Sequence, residues 1–156
     1  MSAEPRIRNV AVALLVRDGH VLAEEYPATA RSARYLRAVG GGIEFGEHAV
    51  DAVRRELREE LGAELTDVEA LAVTENHFEI DGRRGHEIVH VFAVRCPDLE
   101  ATRLDQRLPV LDAETTVGWY DLDDLRASGV PFYPAGIADL AADPRCSVTS
   151  TSWGTG

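Results

Sequence analysis

Residues 40–63 read GGGIEFGEHAVDAVRRELREELGA, a glycine run followed by a highly charged segment with regularly spaced aliphatic residues. The aliphatic residues recur at the three- and four-residue intervals that place side chains on one stripe of a helix; they are Val50, Val53, Leu57 and Leu61. Gly62 follows, where a glycine commonly ends a helix. The pattern therefore predicts a helix over residues 47–61 that packs through this stripe.

Three glutamates crowd the same helix. Glu56, Glu59 and Glu60 stand at positions i, i+3 and i+4, so they share one side of it. Like charges at this spacing repel each other, which calls for a compensating positive charge. Carboxylates in this geometry suit a hard cation such as Mg²⁺ or Mn²⁺. The alternative is a solvent-exposed face on which the glutamates pair with nearby arginines, namely Arg54, Arg55 and Arg58.

The glycine run places backbone close to these carboxylates. Glycine permits tight turns, so a main-chain carbonyl or amide can approach the same site. The start of a helix nearby also favours anions. Gly41 and Gly42 are therefore candidates for binding the cofactor and its phosphate ligand, and Arg37, just upstream, is a candidate for a phosphate contact.

These features together resemble the Nudix box, written Gly-x5-Glu-x7-Arg-Glu-U-x-Glu-Glu-x-Gly-U, where U is a bulky aliphatic residue. Counted from Gly41, every fixed identity is present, at Glu47, Arg55, Glu56, Glu59, Glu60 and Gly62. The departure is Ala63 in the last aliphatic position, which we expect to affect packing rather than chemistry. The resemblance extends over about residues 6–142 and implies the Nudix fold, an α/β/α sandwich around a mixed β-sheet.

The resemblance also implies an activity and a set of roles. The activity is hydrolysis of a nucleoside diphosphate linked to another moiety, with Mg²⁺ or Mn²⁺ as cofactor. The implied metal ligands are Glu56, Glu59, Glu60 and the main-chain carbonyl of Gly41. Arg55 is expected to orient the glutamates, and Glu47 to brace the junction of loop and helix. A divalent cation there would offset the charge of both protein and pyrophosphate and lower the pKa of a bound water.

Many Nudix enzymes use a further carboxylate from outside the box, as a base or as a ligand. Glu87, in the stretch GHEIVHV, is the first candidate for this catalytic role. Glu75, Glu79 and Glu114 are the alternatives. An ordinary glutamate on the surface of a strand would look the same in the sequence, so this assignment stays open.

Hairpins and short helices account for the rest of the chain. Apolar runs at 10–16 and 20–25 flank an Asp-Gly turn, which is a hairpin signal. The remaining predictions are a strand at 35–39, a hairpin of 68–80 with 87–95 through a connection at 81–85, a loop at 97–114, a strand at 116–120 and helices at 121–128 and 135–142. This order predicts an α+β class with a mixed sheet. We expect one domain over residues 1–142 and a flexible polar tail over residues 143–156.

Composition restricts the partners. The chain has 156 residues, enough for one ordinary domain, and a formal net charge of −11. A chain this acidic has no bulk attraction for a nucleic-acid polymer or an anionic membrane. The two cysteines, Cys96 and Cys146, have no metal-type spacing and form no disulfide framework, which suits the cytoplasm.

The expected protein is therefore a cytoplasmic, metal-dependent Nudix pyrophosphohydrolase acting on a small nucleotide-type substrate. The alternatives are a non-catalytic nucleotide-binding or regulatory Nudix domain and a Nudix-fold isomerase of a prenyl diphosphate. The intact glutamates favour the hydrolase over the first alternative, and the distance of both cysteines from the box argues against the second. The individual substrate is not indicated. Homodimers are common in the family, so a homodimer is left open.

Overall fold

The computed structural model describes residues 4–148, which contain both strands and helices. The strands are β1 (Ile7–Leu14), β2 (Val16–Arg17), β3 (His20–Tyr26), β4 (Tyr35–Arg37), β5 (Val39–Gly42), β6 (Asp67–Ile80), β7 (Arg83–Arg95), β8 (Arg107–Pro109), β9 (Thr116–Asp121), β10 (Phe132–Tyr133) and β11 (Ser147–Val148). The helices are α1 (Ala49–Leu61), α2 (Pro97–Glu100), α3 (Leu122–Ser128) and α4 (Ile137–Ala141), and a 3-10 turn covers Pro144–Cys146.

Two mixed sheets are built from these strands. The first has the order β5-β1-β7-β6, in which β1 runs parallel to β7 and antiparallel to β5. The second is centred on β3, which pairs antiparallel with β4 and β9. Its outer strands β10 and β11 run parallel to their neighbours β4 and β2. The mixed topology expected from the sequence is thus confirmed.

From Val10 to Leu14, strand β1 is buried on both faces because its side chains alternate between two cores. Ala11 and Ala13 face the core that contains the buried face of α1, where Ala52, Val53 and Leu57 pack. Val10, Val12 and Leu14 face the opposite core, together with residues of α3 and α4 such as Leu125 and Ile137. Helices therefore cover both sides of the sheet structure, and the α+β sandwich class is confirmed.

The first turn of α1 differs from the prediction. The helix begins at Ala49 rather than residue 47, because Gly46 has a left-handed φ of 83° and His48 is extended. Val50, expected in the apolar stripe, is 37% exposed, so that part of the prediction is wrong. Ala49 packs against the core in its place. Gly62 ends the helix as predicted, with a φ of 62°.

The long hairpin and the predicted loop also differ. The hairpin turns over two residues, Asp81 and Gly82, both with positive φ, so β7 begins at Arg83 rather than at residue 87. The predicted loop at 97–114 contains α2, with a proline in its first turn, and β8, which pairs with β9. No helix within residues 4–148 has the length and apolar character needed to cross a bilayer.

The fold continues past the predicted domain end. The flexible tail was expected from residue 143, but the chain makes a 3-10 turn there and then adds β11 parallel to β2. The physical reason is apolar burial: Cys146 is fully buried in the core shared with Leu14 and Ile137. That part of the tail prediction is wrong, and residues 149–156 of the tail lie outside the described residues.

A chain that ends at Asp143 should be less stable than one that ends at Val148. Truncation at Asp143 removes the buried Cys146 and the paired strand β11, a loss on the order of 2 kcal/mol in the free energy of unfolding. Urea denaturation of the two chains measures this difference. Equal unfolding midpoints would show that β11 adds nothing to the fold.

Candidate functional site

An acidic cleft of about 270 Å³ opens where β1, β3, β5 and the end of α1 meet. The glycine run forms one wall, and Glu56 and Glu60 of α1 project into it. The lining also includes Glu24 and Tyr26 of β3 and the arginines Arg8 and Arg37. Helix α1 therefore delivers two of its three glutamates to one concave site.

Gly41 lets the backbone of β5 come close to the helix. A Cβ atom at this position would lie 2.5 Å from the carboxyl carbon of Glu56, so any larger residue here would have to displace this carboxylate. Strand β5 is meanwhile held in place by antiparallel pairing of Gly41 with Ala11. The box glycine thus leaves room for the Glu56 carboxylate beside β5, and its carbonyl is also a candidate ligand.

Arg55 is the hub of the hydrogen bonds around the cleft. Its guanidinium donates to both carboxylate oxygens of Glu47, at 2.8 and 2.9 Å, and to the carbonyl of Gly42 at 2.9 Å. It also donates to Glu56 at 2.9 Å and to Glu59 at 3.1 Å. The bonds from Arg55 lower the pKa of Glu47 to about 2. Loop and helix are locked together through this one side chain.

The surroundings of Glu60 in the cleft disfavour its charged form. Its Oε2 atom is buried and has no hydrogen-bond partner among the described residues. Burial, followed by the charges of Glu24, Glu56 and Asp112, raises the pKa of Glu60 to about 8. Burial also raises the pKa of Glu56, in spite of its bond from Arg55. An unsatisfied carboxylate oxygen beside two other carboxylates fits a divalent cation.

Glu59 is placed differently from the other two glutamates. Its side chain is 52% exposed, pairs with Arg55 and is absent from the cleft lining. The structure thus brings together Glu56 and Glu60 and leaves Glu59 at the rim. Its role as a metal ligand stays a prediction.

Glu24 is a carboxylate of the cleft that sequence reasoning missed. It is 5% exposed, and one of its oxygens accepts a hydrogen bond from the hydroxyl of Thr115. The available signal was its position two residues after Leu22 in an apolar strand, which places both side chains on the same inward face. A glutamate at such a position is buried against the element that packs on this face of the strand, which here is α1 with Glu60.

Glu87 lies outside the acidic cleft and is 1% exposed. One Arg37 nitrogen lies 3.1 and 3.2 Å from its two oxygens, and Arg8 is 3.8 Å away. The carboxylate is therefore already compensated by two cations. Of the alternatives, Glu75 and Glu79 are exposed on β6 and Glu114 is exposed before β9, so none of them lines the acidic cleft.

A basic cleft of about 430 Å³ adjoins the acidic one. Its cationic lining consists of Arg8, Arg31, Arg37, Arg83 and Arg84, beside the rings of Tyr35 and Phe78. Arg8 and Arg37 line both clefts. In a chain with a net charge of −11, this concentration of arginines marks a place suited to an anion.

The chain resembles known proteins in both sequence and structure. It matches the family model of the NUDIX domain over residues 5–140. The CTP pyrophosphohydrolase of Escherichia coli (strain K12) is 38% identical over 93 residues, which are 60% of this chain and 64% of that protein. The match thus spans less than two thirds of that relative.

Solved structures share the fold. The MutT NUDIX hydrolase from Burkholderia pseudomallei superposes with a TM-score of 0.54 at 24% identity, covering 87% of this chain and 95% of that one. The E. coli ORF135 protein gives a TM-score of 0.52 at 26% identity, covering 88% and 87% of the two chains.

Replacing Glu60 by glutamine should stabilise the metal-free protein at high pH. The unfolded chain ionises Glu60 near its ordinary pKa of 4.5, whereas the folded chain keeps the proton up to about pH 8. Stability is therefore lost as the pH rises between these two values, and Glu60→Gln removes that loss. In EDTA, the variant should melt above the wild type at about pH 9 and close to it at about pH 5.

The matched control is Glu64→Gln, which changes an exposed glutamate that is paired with Arg58 just beyond the same helix. It should show no gain at high pH. A Glu60→Gln protein that melts below the wild type at about pH 9 would contradict the uncompensated burial of this carboxylate.

Proposed function

We propose that this chain, which belongs to the Nudix family, is a pyrophosphohydrolase that requires Mg²⁺ or Mn²⁺ and acts on a nucleoside diphosphate linked to another moiety. The proposed metal ligands are Glu56, Glu59, Glu60 and the carbonyl oxygen of Gly41. The proposed substrate spans the acidic cleft and its basic neighbour. Each part of this proposal rests on a different feature of the two clefts.

The observation that carries the proposal is the state of Glu60. Within residues 4–148 its buried Oε2 has no hydrogen-bond partner, and burial together with the charges of Glu24 and Glu56 raises its pKa to about 8. A carboxylate in this condition destabilises the folded chain unless a cation joins it. When bound, Mg²⁺ or Mn²⁺ offsets phosphate charge and lowers the pKa of water for attack on phosphorus. If Glu60 had only a structural role, nothing would offset the destabilisation that its burial causes.

Arg55 and Glu47 prepare the carboxylates for this task. The Arg55 fork holds Glu56 and Glu59 in fixed orientations, and the bidentate bond to Glu47 fixes the fork itself. The geometry of the ligands is then set before substrate arrives, which is the condition for efficient electrostatic catalysis. Because Arg55 adds one positive charge to four glutamates, the cluster keeps a net negative charge for a cation.

Arg37 connects the metal site to the rest of the substrate. Its guanidinium lines both clefts and is 25% exposed, so it remains accessible from the cleft while bound to Glu87. We assign it a phosphate contact, as an arginine fork suits the oxygens of a phosphate group. In this arrangement Glu87 holds Arg37 in place, which favours a positioning role over the catalytic role, as a base or as a ligand, for which Glu87 was a candidate from the sequence.

A nucleotide fits the second cleft. The arginines there face the anionic part of a ligand, while Tyr35 and Phe78 present aromatic rings suited to a base. The similar E. coli protein is named a CTP pyrophosphohydrolase, so CTP is the first compound to test. The prenyl diphosphate isomerase alternative gains no support, because Cys96 and Cys146 are both buried and neither lines the acidic cleft.

Glu60→Gln should strongly reduce turnover without unfolding the chain. The wild type is tested with Mg²⁺ and with Mn²⁺ on CTP and other nucleoside triphosphates, oxidised ones included, ADP-ribose, nucleotide sugars, dinucleoside polyphosphates and isopentenyl diphosphate. Chromatography identifies the products, and P–O–P cleavage should yield a nucleoside monophosphate. Glu60→Gln should lower kcat/KM about 100-fold or more, because one buried metal-binding charge is lost.

The exposed Glu64→Gln is again the matched control and should retain wild-type turnover. Near-normal turnover of Glu60→Gln would refute the metal assignment. Nucleotide binding without turnover in the wild type, across the whole panel, would instead support the non-catalytic binding domain.

Glu87→Gln separates the two roles open to Glu87. If Glu87 positions Arg37, the loss of its charge weakens one phosphate contact, and KM should rise about tenfold while kcat changes little. Steady-state kinetics over a pH series measure both parameters, with the exposed Glu79→Gln on the same hairpin as the control. A large fall in kcat that removes one limb of the pH profile would identify Glu87 as the general base instead.

A further inference from the structure

Three side chains on the outer face of the long hairpin have the composition of a metal site. Glu75, His77 and His86 each present one ligand atom, and these atoms all lie within 4.8 Å of one another. The rings of His77 and His86 are stacked, with centroids 4.0 Å apart and planes inclined by 30°. No residue of the Nudix box takes part.

The strand register produces this grouping. His77 of β6 is directly opposite His86 of β7, so the two side chains leave the sheet side by side. Glu75 precedes His77 by two residues on β6 and therefore projects from the same face. A one-residue shift of either strand would separate the histidines, so the site depends on the two-residue turn at Asp81 and Gly82.

The chemistry of the group suits a transition-metal ion rather than Mg²⁺. Imidazole nitrogen is a ligand for Zn²⁺, Ni²⁺ and Cu²⁺, and two histidines with one carboxylate leave further positions open for water or another ligand. The Nε2 atom of His86 is buried and has no hydrogen-bond partner among the described residues. This unpaired nitrogen is a second observation that favours a metal site, in addition to the short distances between the three side chains.

The distances allow an ion to be held after a small adjustment. Tetrahedral bonds of about 2.1 Å place ligand atoms about 3.4 Å apart, so atoms that lie within 4.8 Å of one another must approach by at most about 1.4 Å. Glu75 and His77 are exposed, and their side chains can rotate without disturbing the core. The three ligand atoms can approach one another in this way without any change in the backbone pairing of β6 with β7.

The group lies apart from the acidic cleft. Successive residues of a strand face opposite sides of the sheet, so His86 and Glu87 project in opposite directions, as do Asn76 and its neighbours. Asn76 and Glu87 are 1% exposed on the inner side, whereas Glu75 and His77 are exposed on the outer side. None of the three side chains lines the acidic cleft.

We propose that Glu75, His77 and His86 form a second metal site, selective for an imidazole-binding divalent ion such as Zn²⁺. An ion there would join β6 to β7 close to their turn. The same end of the hairpin carries Phe78 and Arg83, which line the basic cleft. Binding of the ion therefore stiffens the part of the hairpin that forms one wall of that cleft.

The experiment measures Zn²⁺ binding to the full chain after the proposed box site has been disabled. The background variant is Glu56→Gln with Glu60→Gln, stripped with EDTA and then freed of chelator. Zinc is titrated in competition with a chromogenic chelator, and melting temperature is recorded with and without zinc. His77→Ala, His86→Ala and Glu75→Gln are made in this background. The control is His90→Ala, a partly buried histidine on the same face of β7 but outside the group.

The background and the His90→Ala control should bind one equivalent of Zn²⁺ and melt at a higher temperature when it is present. His77→Ala and His86→Ala should each weaken this binding at least about tenfold and lose the zinc-dependent rise in melting temperature. Glu75→Gln keeps the shape of the side chain, and a weaker affinity in this variant assigns the carboxylate as the third ligand.

Two results would overturn the site. One is the absence of stoichiometric zinc binding in the background variant, provided that its zinc-free melting curve shows a folded chain. The other is equal zinc affinity in His77→Ala, His86→Ala and His90→Ala. Because the Nudix glutamates are already removed, neither result depends on the proposed hydrolase activity.

Discussion

Uncompensated negative charge at the end of α1 is the constraint on which the site depends. Leu57 fixes the helix in the core, and the neighbouring Glu56 and Glu60 are consequently half-buried in the acidic cleft. Arg55 offsets part of this charge through its fork, but Glu60 keeps a buried oxygen that no group in the described part of the chain bonds. The core that stabilises the fold is therefore also what makes the carboxylates receptive to a cation.

Two clefts of opposite charge meet at Arg37. One side of this guanidinium faces carboxylates suited to a metal, and the other faces further arginines suited to an anion. A substrate with phosphates at its centre could bind across both clefts. A metal ion in the acidic cleft and the arginines of the basic cleft would then contact different phosphate oxygens. The parallel pairing of β1 with β7 sets this arrangement by placing Arg8 beside Glu87, which binds Arg37.

Features contained within one short segment were predictable from the sequence. The helix, its closing Gly62 and the clustering of Glu56 with Glu60 follow from local spacing. The start of α1 at Ala49 was not predicted, because it depends on the left-handed Gly46 and on Arg55 binding Glu47 across the first turn.

Features that join distant segments escaped the sequence analysis. Glu24 meets Glu60 only through tertiary packing, and the enclosure of Glu87 by Arg37 and Arg8 requires the register of three strands.

The burial of Glu60 also affects which substitutions a chain of this kind can accumulate in evolution. Selection for stability alone would favour replacement of Glu60 by an uncharged residue. Glu60 is therefore retained only under selection for the activity that needs its carboxylate.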